Sequence, residues 1–147
     1  MKVDSWRDLD AYRSAFSLQQ AIFRESKTWP KTEGYALTDQ IRRSSRSIGS
    51  NIAEAWAKRR YPAHFLSKLT DADGELQEVL HWLETAAACG YLPAEEHSKL
   101  QEEAVRLGKQ LGSMINRHES FCFQGNREKL KAERLSTGAR DGAGQPA

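Results

Sequence analysis

The sequence predicts an all-α fold, an antiparallel up-down-up-down four-helix bundle, and three observations predict it. Four segments repeat apolar residues at steps of three and four, no segment alternates with period two over a strand's length, and short connections marked by Pro or Gly separate the segments. The helices are expected at about 6–28, 37–60, 62–89 and 93–118, within one domain of residues 1–123. A length of 147 residues suits one domain with a real core and is too short for two.

The first helix opens at Ser5, with Asp8 three positions on as the closing acid of a capping box. Leu9, Tyr12, Phe16, Gln19 and Phe23 form its expected apolar stripe, and Trp29-Pro30 ends it because the residue before proline is pushed out of the helical region. Lys31 to Tyr35 reads as a loop. The second helix carries Leu37, Ile41, Ile48, Ile52 and Ala55/Trp56 on one face. Tyr61-Pro62 fits a tight turn with proline at the first helical position. The third helix has the cleanest stripe, a heptad seam of Phe65, Leu69, Ala72, Leu76, Val79, Leu83 and Ala86. Gly90 suits a left-handed cap, and Pro93 restarts a helix whose stripe is Leu100, Ala104, Leu107, Leu111 and Met114. From Gln124 to Ala147, five residues are Gly or Pro and only Leu130 and Leu135 are large and apolar, so a flexible, disordered tail is expected, with transient helix near Arg127 to Arg134.

A net charge of +2 hides an asymmetry. Between Ala36 and Arg60 stand six cations (Arg42, Arg43, Arg46, Lys58, Arg59, Arg60) and two acids; between Tyr61 and Gly90 stand one cation, Lys68, and five acids, Asp71, Asp73, Glu75, Glu78 and Glu84. Either the two helices attract each other, within the chain or between copies, or the basic helix faces a polyanion. The second helix is also unusually small-sided. Ser47, Gly49, Ser50 and Ala53 occupy positions where a solvated helix carries long residues, which predicts that another backbone covers them. A second copy is the expected cover, and Asn51 and Glu54 complete the expected interface.

No catalytic constellation emerges. Asp71, Glu75 and Glu78 line one side of the third helix without a Glu-x-x-His motif, and His118 with Cys122 supplies two ligands where zinc needs more. Phosphate-loop, nucleophile-elbow and dinucleotide fingerprints are absent. A non-enzyme with no cofactor and no metal is expected. Two cysteines make no disulfide framework, and neither a signal-peptide start nor an apolar run of membrane-spanning length occurs, so the cytoplasm is the default setting.

The run Leu37 to Trp56, L-T-D-Q-I-R-R-S-S-R-S-I-G-S-N-I-A-E-A-W, resembles the hallmark of the 23S ribosomal RNA intervening-sequence protein family. Gln40, Ile41, Arg43, Ser47, Ile48, Asn51, Ile52, Ala53 and Glu54 match that pattern, and Phe65, Leu69, Ala72, Gly74, Leu76, Glu78 and Gly90-Tyr91-Leu92 match a second block. Ala55, Tyr61, His64 and Glu75 depart from it. The resemblance implies a four-helix bundle assembled as a homo-oligomeric, five-fold (pentameric) ring. It also implies kinship with the accessory variability determinant proteins of diversity-generating retroelements, which bind nucleic acid and work beside a reverse transcriptase. The expected partners are therefore the chain itself, RNA or DNA with RNA first, and a nucleic-acid enzyme. Arg42, Arg43, Arg46, Lys58, Arg59 and Arg60 are the expected nucleic-acid contacts, because arginine forks match phosphate. The alternative is a purely structural oligomer in which these arginines pair with Asp71, Asp73, Glu75 and Glu78 of a neighbour.

Overall fold

A computed structural model describes residues 2–123, 134–136 and 138. Most of the expected tail lies outside these residues. Four long helices dominate: α1 (Asp10–Ser26), α2 (Asp39–Ala57), α3 (Pro62–Ala88) and α4 (Ala94–Asn116), followed by a single turn, α5 (His118–Phe121). No strand occurs among the described residues. None of the described helices is long and apolar enough to cross a membrane.

The local signals explain the boundaries. The Ser5–Asp8 capping box forms, with the Asp8 carboxylate accepting from the Ser5 backbone N–H at 3.1 Å. It caps a single 3₁₀ turn, Trp6–Asp8, and α1 starts only at Asp10, so the expected first helix divides in two. The expected loop is helical as well. A 3₁₀ turn at Lys31–Glu33 runs into a wide π turn at Gly34–Thr38, which feeds α2. Pro62 takes the first turn of α3. At the far end of α3, Gly90 has φ of 78° and the Tyr91 N–H reaches the Ala86 carbonyl at 2.9 Å. With the Gly90 N–H on Ala87 at 3.1 Å, this is a Schellman cap, a geometry that favours glycine.

Helices α2, α3 and α4 bury the faces that their spacing predicts. All seven heptad residues of α3 are buried, as are Leu100, Ala104, Leu107, Leu111 and Met114 of α4. Leu37, Ile41, Ile48, Ile52 and Ala55 join them from α2 and the turn before it, while Trp56 stays half-buried. Helix α1 differs. Its core face is Ala11, Ala15, Leu18 and Ile22, whereas the expected aromatic stripe lies on its flank and leaves Phe16 47% exposed. Two registers on α1 satisfy helical spacing, and the smaller side chains win the core because Ala11 and Ala15 let the helix sit close to its neighbours.

Of the two cysteines, Cys122 is buried just after α5 and Cys89 is exposed at the Schellman turn.

Candidate nucleic-acid interface

The end of α1 lies against the start of α2. Ser26 closes α1, and its Oγ accepts a hydrogen bond from Arg42 Nε at 2.9 Å while donating to the Phe23 carbonyl at 3.1 Å. Arg42 is thereby held over the Phe23 ring, 4.9 Å from its centroid. Arg46, one turn along α2, stands 5.6 Å from the same centroid, and Lys27 of α1 stands 4.8 Å away. Three cations thus share one aromatic ring, whose negative face offsets part of their mutual repulsion. Among the described residues, none of the three forms an ion pair with a carboxylate. Arg42, Arg43 and Arg46 line a shallow surface groove with Asp39, Ser47 and Ser50.

The sequence alone points to Arg42, Arg43 and Arg46; it does not reveal Lys27, Phe23 or Ser26 as members of the cluster. A lysine four residues after a phenylalanine at a helix end was the available signal, since such a pair shares a face.

The structure divides the six expected cations. Twelve residues separate Arg46 from Lys58, about 18 Å along a helix. At that far end, Arg59 is structural. Its guanidinium stacks 3.4 Å from the Trp56 ring centroid and 4.8 Å from that of Phe123, and its Nε donates to the Trp56 carbonyl at 2.8 Å. The Arg59 carbonyl accepts from the Phe123 N–H at 3.3 Å. Burial pulls the Arg59 pKa below its ordinary value, though a guanidinium stays charged at any working pH. Lys58 lies 3.9 Å from Glu54, a weak pair in solvent. Arg60 is exposed beside them.

Part of the opposite charge of α2 and α3 is spent within the chain. Lys68 of α3 sits between Glu54 at 3.4 Å and Asp71 at 3.6 Å, and Arg43 approaches Glu78 at 4.0 Å. Gln40 holds the same Arg43 nitrogen, Nη2, accepting from it at 3.0 Å. Beside them, Glu75 has its Oε2 buried without a hydrogen-bond partner, and desolvation followed by the charge of Glu78 raises its pKa. Among the described residues, no three His, Cys, Asp or Glu are grouped to hold a metal ion. His118 and Cys122 are engaged locally, with His118 Nδ1 2.9 Å from the Ile115 carbonyl and Cys122 Sγ 3.4 Å from the His118 carbonyl.

The small residues of α2 also divide. Gly49 is buried inside the protomer: a Cβ there would lie 3.5 Å from Tyr12 Cε2 and 3.8 Å from Gln19 Oε1. This corrects the expectation that a second copy covers Gly49, because α1 covers it. Ser50 and Glu54 are exposed and Ser47, Asn51 and Ala53 are half-buried. Ser47 Oγ and Ser50 Oγ donate to carbonyls of their own helix, Arg43 and Ser47, at 2.8 and 3.1 Å, and Asn51 Nδ2 also reaches the Ser47 carbonyl, at 2.8 Å. The hydroxyls and the Asn51 amide are thus engaged locally, on a surface that also carries the arginines of the groove and Glu54.

Comparison with known proteins follows the same helices. The model of a family described as 23S rRNA-intervening sequence protein matches residues 7–113. A crystal structure from Bacteroides thetaiotaomicron, of a protein with unknown function from the S23 ribosomal protein family, is similar with a TM-score of 0.63 and 26% identity. The match covers 71% of this chain and 97% of that one. No functionally curated protein matches significantly.

Proposed function

The chain belongs to the 23S rRNA-intervening sequence protein family, and on that premise we propose that it is a non-enzymatic, self-associating antiparallel four-helix bundle that binds nucleic acid, RNA first. The observation that carries the reading is the cluster of Lys27, Arg42 and Arg46 around Phe23, none of which is ion-paired among the described residues although Asp39 lines the same groove. Cations held on a fixed frame without an ion-pair partner are favourable sites for phosphate, and two arginines offer forks matched to its oxygens. Ser26 holds Arg42 in place before any ligand arrives, which lowers the ordering cost of binding. Arg43 joins them by exchanging its long contact with Glu78. The contact of Ser26 with Arg42 at one end of α1, and of Tyr12 with Gly49 nearer its start, supports the antiparallel order.

Self-association uses Ser47, Ser50, Asn51 and Ala53, whose short side chains let a second copy approach α2 closely, with Glu54 at the edge. The family resemblance supports a five-fold ring, with a nucleic-acid enzyme as a further partner. A second reading, an oligomer without nucleic acid, is favoured by Asp71 and Glu78 of α3, whose carboxylates stay partly open to solvent and able to accept an arginine from a neighbour.

An Arg46→Glu variant separates the readings. Gel-shift titration at low salt and light scattering are run on the same preparation. Lost RNA binding with unchanged mass supports nucleic-acid binding; a broken assembly, or wild-type chain with no preference for RNA over a neutral polymer, overturns it.

A further inference from the structure

We infer that the ligand is a single strand, and that Phe16 is a base-stacking platform that tells it from a duplex. The inference rests on the nucleic-acid reading above and deepens it. Taking 100° per residue, Tyr12, Phe16, Gln19 and Phe23 fall within 60° of one another on α1, on the flank beside the core face of Ala15, Leu18 and Ile22. One end of this strip is the phosphate cluster, because Phe23 lies beneath Lys27, Arg42 and Arg46. Two turns toward the start of α1, the Phe16 ring is 47% exposed. It is backed by Tyr12, whose ring is 6.2 Å away and inclined by 27°. Trp6 in turn packs edge-on against Tyr12 at 4.5 Å.

This chain of ring contacts gives Phe16 a firm support on one side and leaves nearly half of its surface to solvent. Placing an aromatic ring there costs solubility that a Lys or Glu would not. Single-strand binders combine a cationic track for the backbone with aromatic faces for unstacked bases, and any base serves because each has a π-face. Phe16 and Phe23 are seven residues apart, about 10 Å along the helix, a distance that an extended, unstacked strand covers within a few nucleotides. A strand whose phosphates meet Arg42 and Arg46 therefore brings its next bases over Phe16. Duplex bases are paired and stacked already, so a duplex gains the phosphate contacts only. The flank is distinct from the side of α2 that meets α3, where Glu54 contacts Lys68.

The test is fluorescence anisotropy with labelled oligouridine and with its duplex with oligoadenine of equal length, using the full chain, Phe16→Ala, Phe16→Trp and Arg46→Gln. Phe16 is exposed enough that the substitutions leave the helical circular dichroism unchanged. Expected are tighter binding of the single strand, a loss of about tenfold for Phe16→Ala on the single strand alone, wild-type or tighter binding for Phe16→Trp, and weakening on both ligands for Arg46→Gln. If the wild type binds neither ligand, the phosphate cluster itself fails. If it binds both equally and Phe16→Ala matches it, stacking is overturned while the cluster stands. If Phe16→Ala instead changes the mass seen by light scattering, a protein surface covers the strip and the inference is overturned.

Discussion

Ser26 Oγ and Arg42 Nε, 2.9 Å apart, join the last residue of α1 to the first turn of α2. Because the same hydroxyl donates to the Phe23 carbonyl, the serine uses both of its functions and the guanidinium gains a fixed direction. Ser26→Ala removes both bonds and leaves a buried site around a charged donor. An unfolding free energy lower by about 1–2 kcal/mol is expected, read from urea denaturation at fixed protein concentration. Its RNA affinity should fall only a few-fold, since Arg42 keeps its charge and loses its alignment.

The two ends of α2 should respond differently to charge removal. Arg42→Gln, Arg43→Gln and Arg46→Gln should each flatten the plot of log affinity against log salt by about one unit of slope. Arg59→Gln should leave that slope unchanged and lower the melting temperature, because its guanidinium is stacked between Trp56 and Phe123. A loss of about 1–2 kcal/mol is expected from the stacking and the packed stem. Equal slopes for all four variants would overturn the division.

Glu75 supplies a pH dependence of definite sign. Its folded-state pKa lies above the ordinary carboxylate value, first through desolvation and then through Glu78. The folded chain therefore holds a proton more readily than the unfolded chain, and stability falls as pH rises from the ordinary value through the raised one. Glu75→Gln removes that cost. The variant should be the more stable one at neutral pH, with the difference shrinking as acidification protonates the wild-type carboxyl, and the size is modest because water screens a half-exposed group. Paired melts across the acid range check the convergence.

Gly74 of α3 and Gly112 of α4 sit inside helices, with nothing within 4 Å of a Cβ built on either. Within one protomer, Gly74→Ala and Gly112→Ala should each add about 0.5–1 kcal/mol, through backbone entropy and helix propensity. Denaturation under conditions that hold the chain monomeric measures this. A variant that gains stability as a monomer yet loses mass in light scattering marks a helix surface that another copy touches.

Most of the fold could be read in advance, because α3 and α4 each have one unbroken apolar face, α2 keeps its isoleucine stripe although Ser44 and Ser45 are buried within it, and the heptad of α3 admits no second register. Helix α1 misled for a specific reason. Its aromatic and its aliphatic stripes both have helical spacing, and ring size suggested burial where Ala11 and Ala15 instead allow a close approach. The same reversal hid half of the candidate site. Once Phe23 is assigned to the core, no ring is left to gather Lys27, Arg42 and Arg46, and the contact of α1 with Gly49 stays invisible. Arg59 was legible as a cation and illegible as a packing residue, since its partner Phe123 lies 64 positions away in sequence.

The unequal surroundings of the two thiols give the molecule a single chemical handle. Cys89 is open to reagents at the Schellman turn while Cys122 is shut inside, so a maleimide dye under native conditions marks one end of α3. That end lies roughly 40 Å, at the axial rise of a helix, from the Tyr61-Pro62 turn. Energy transfer between dyes on neighbouring copies then reports their spacing without altering any residue of the basic groove.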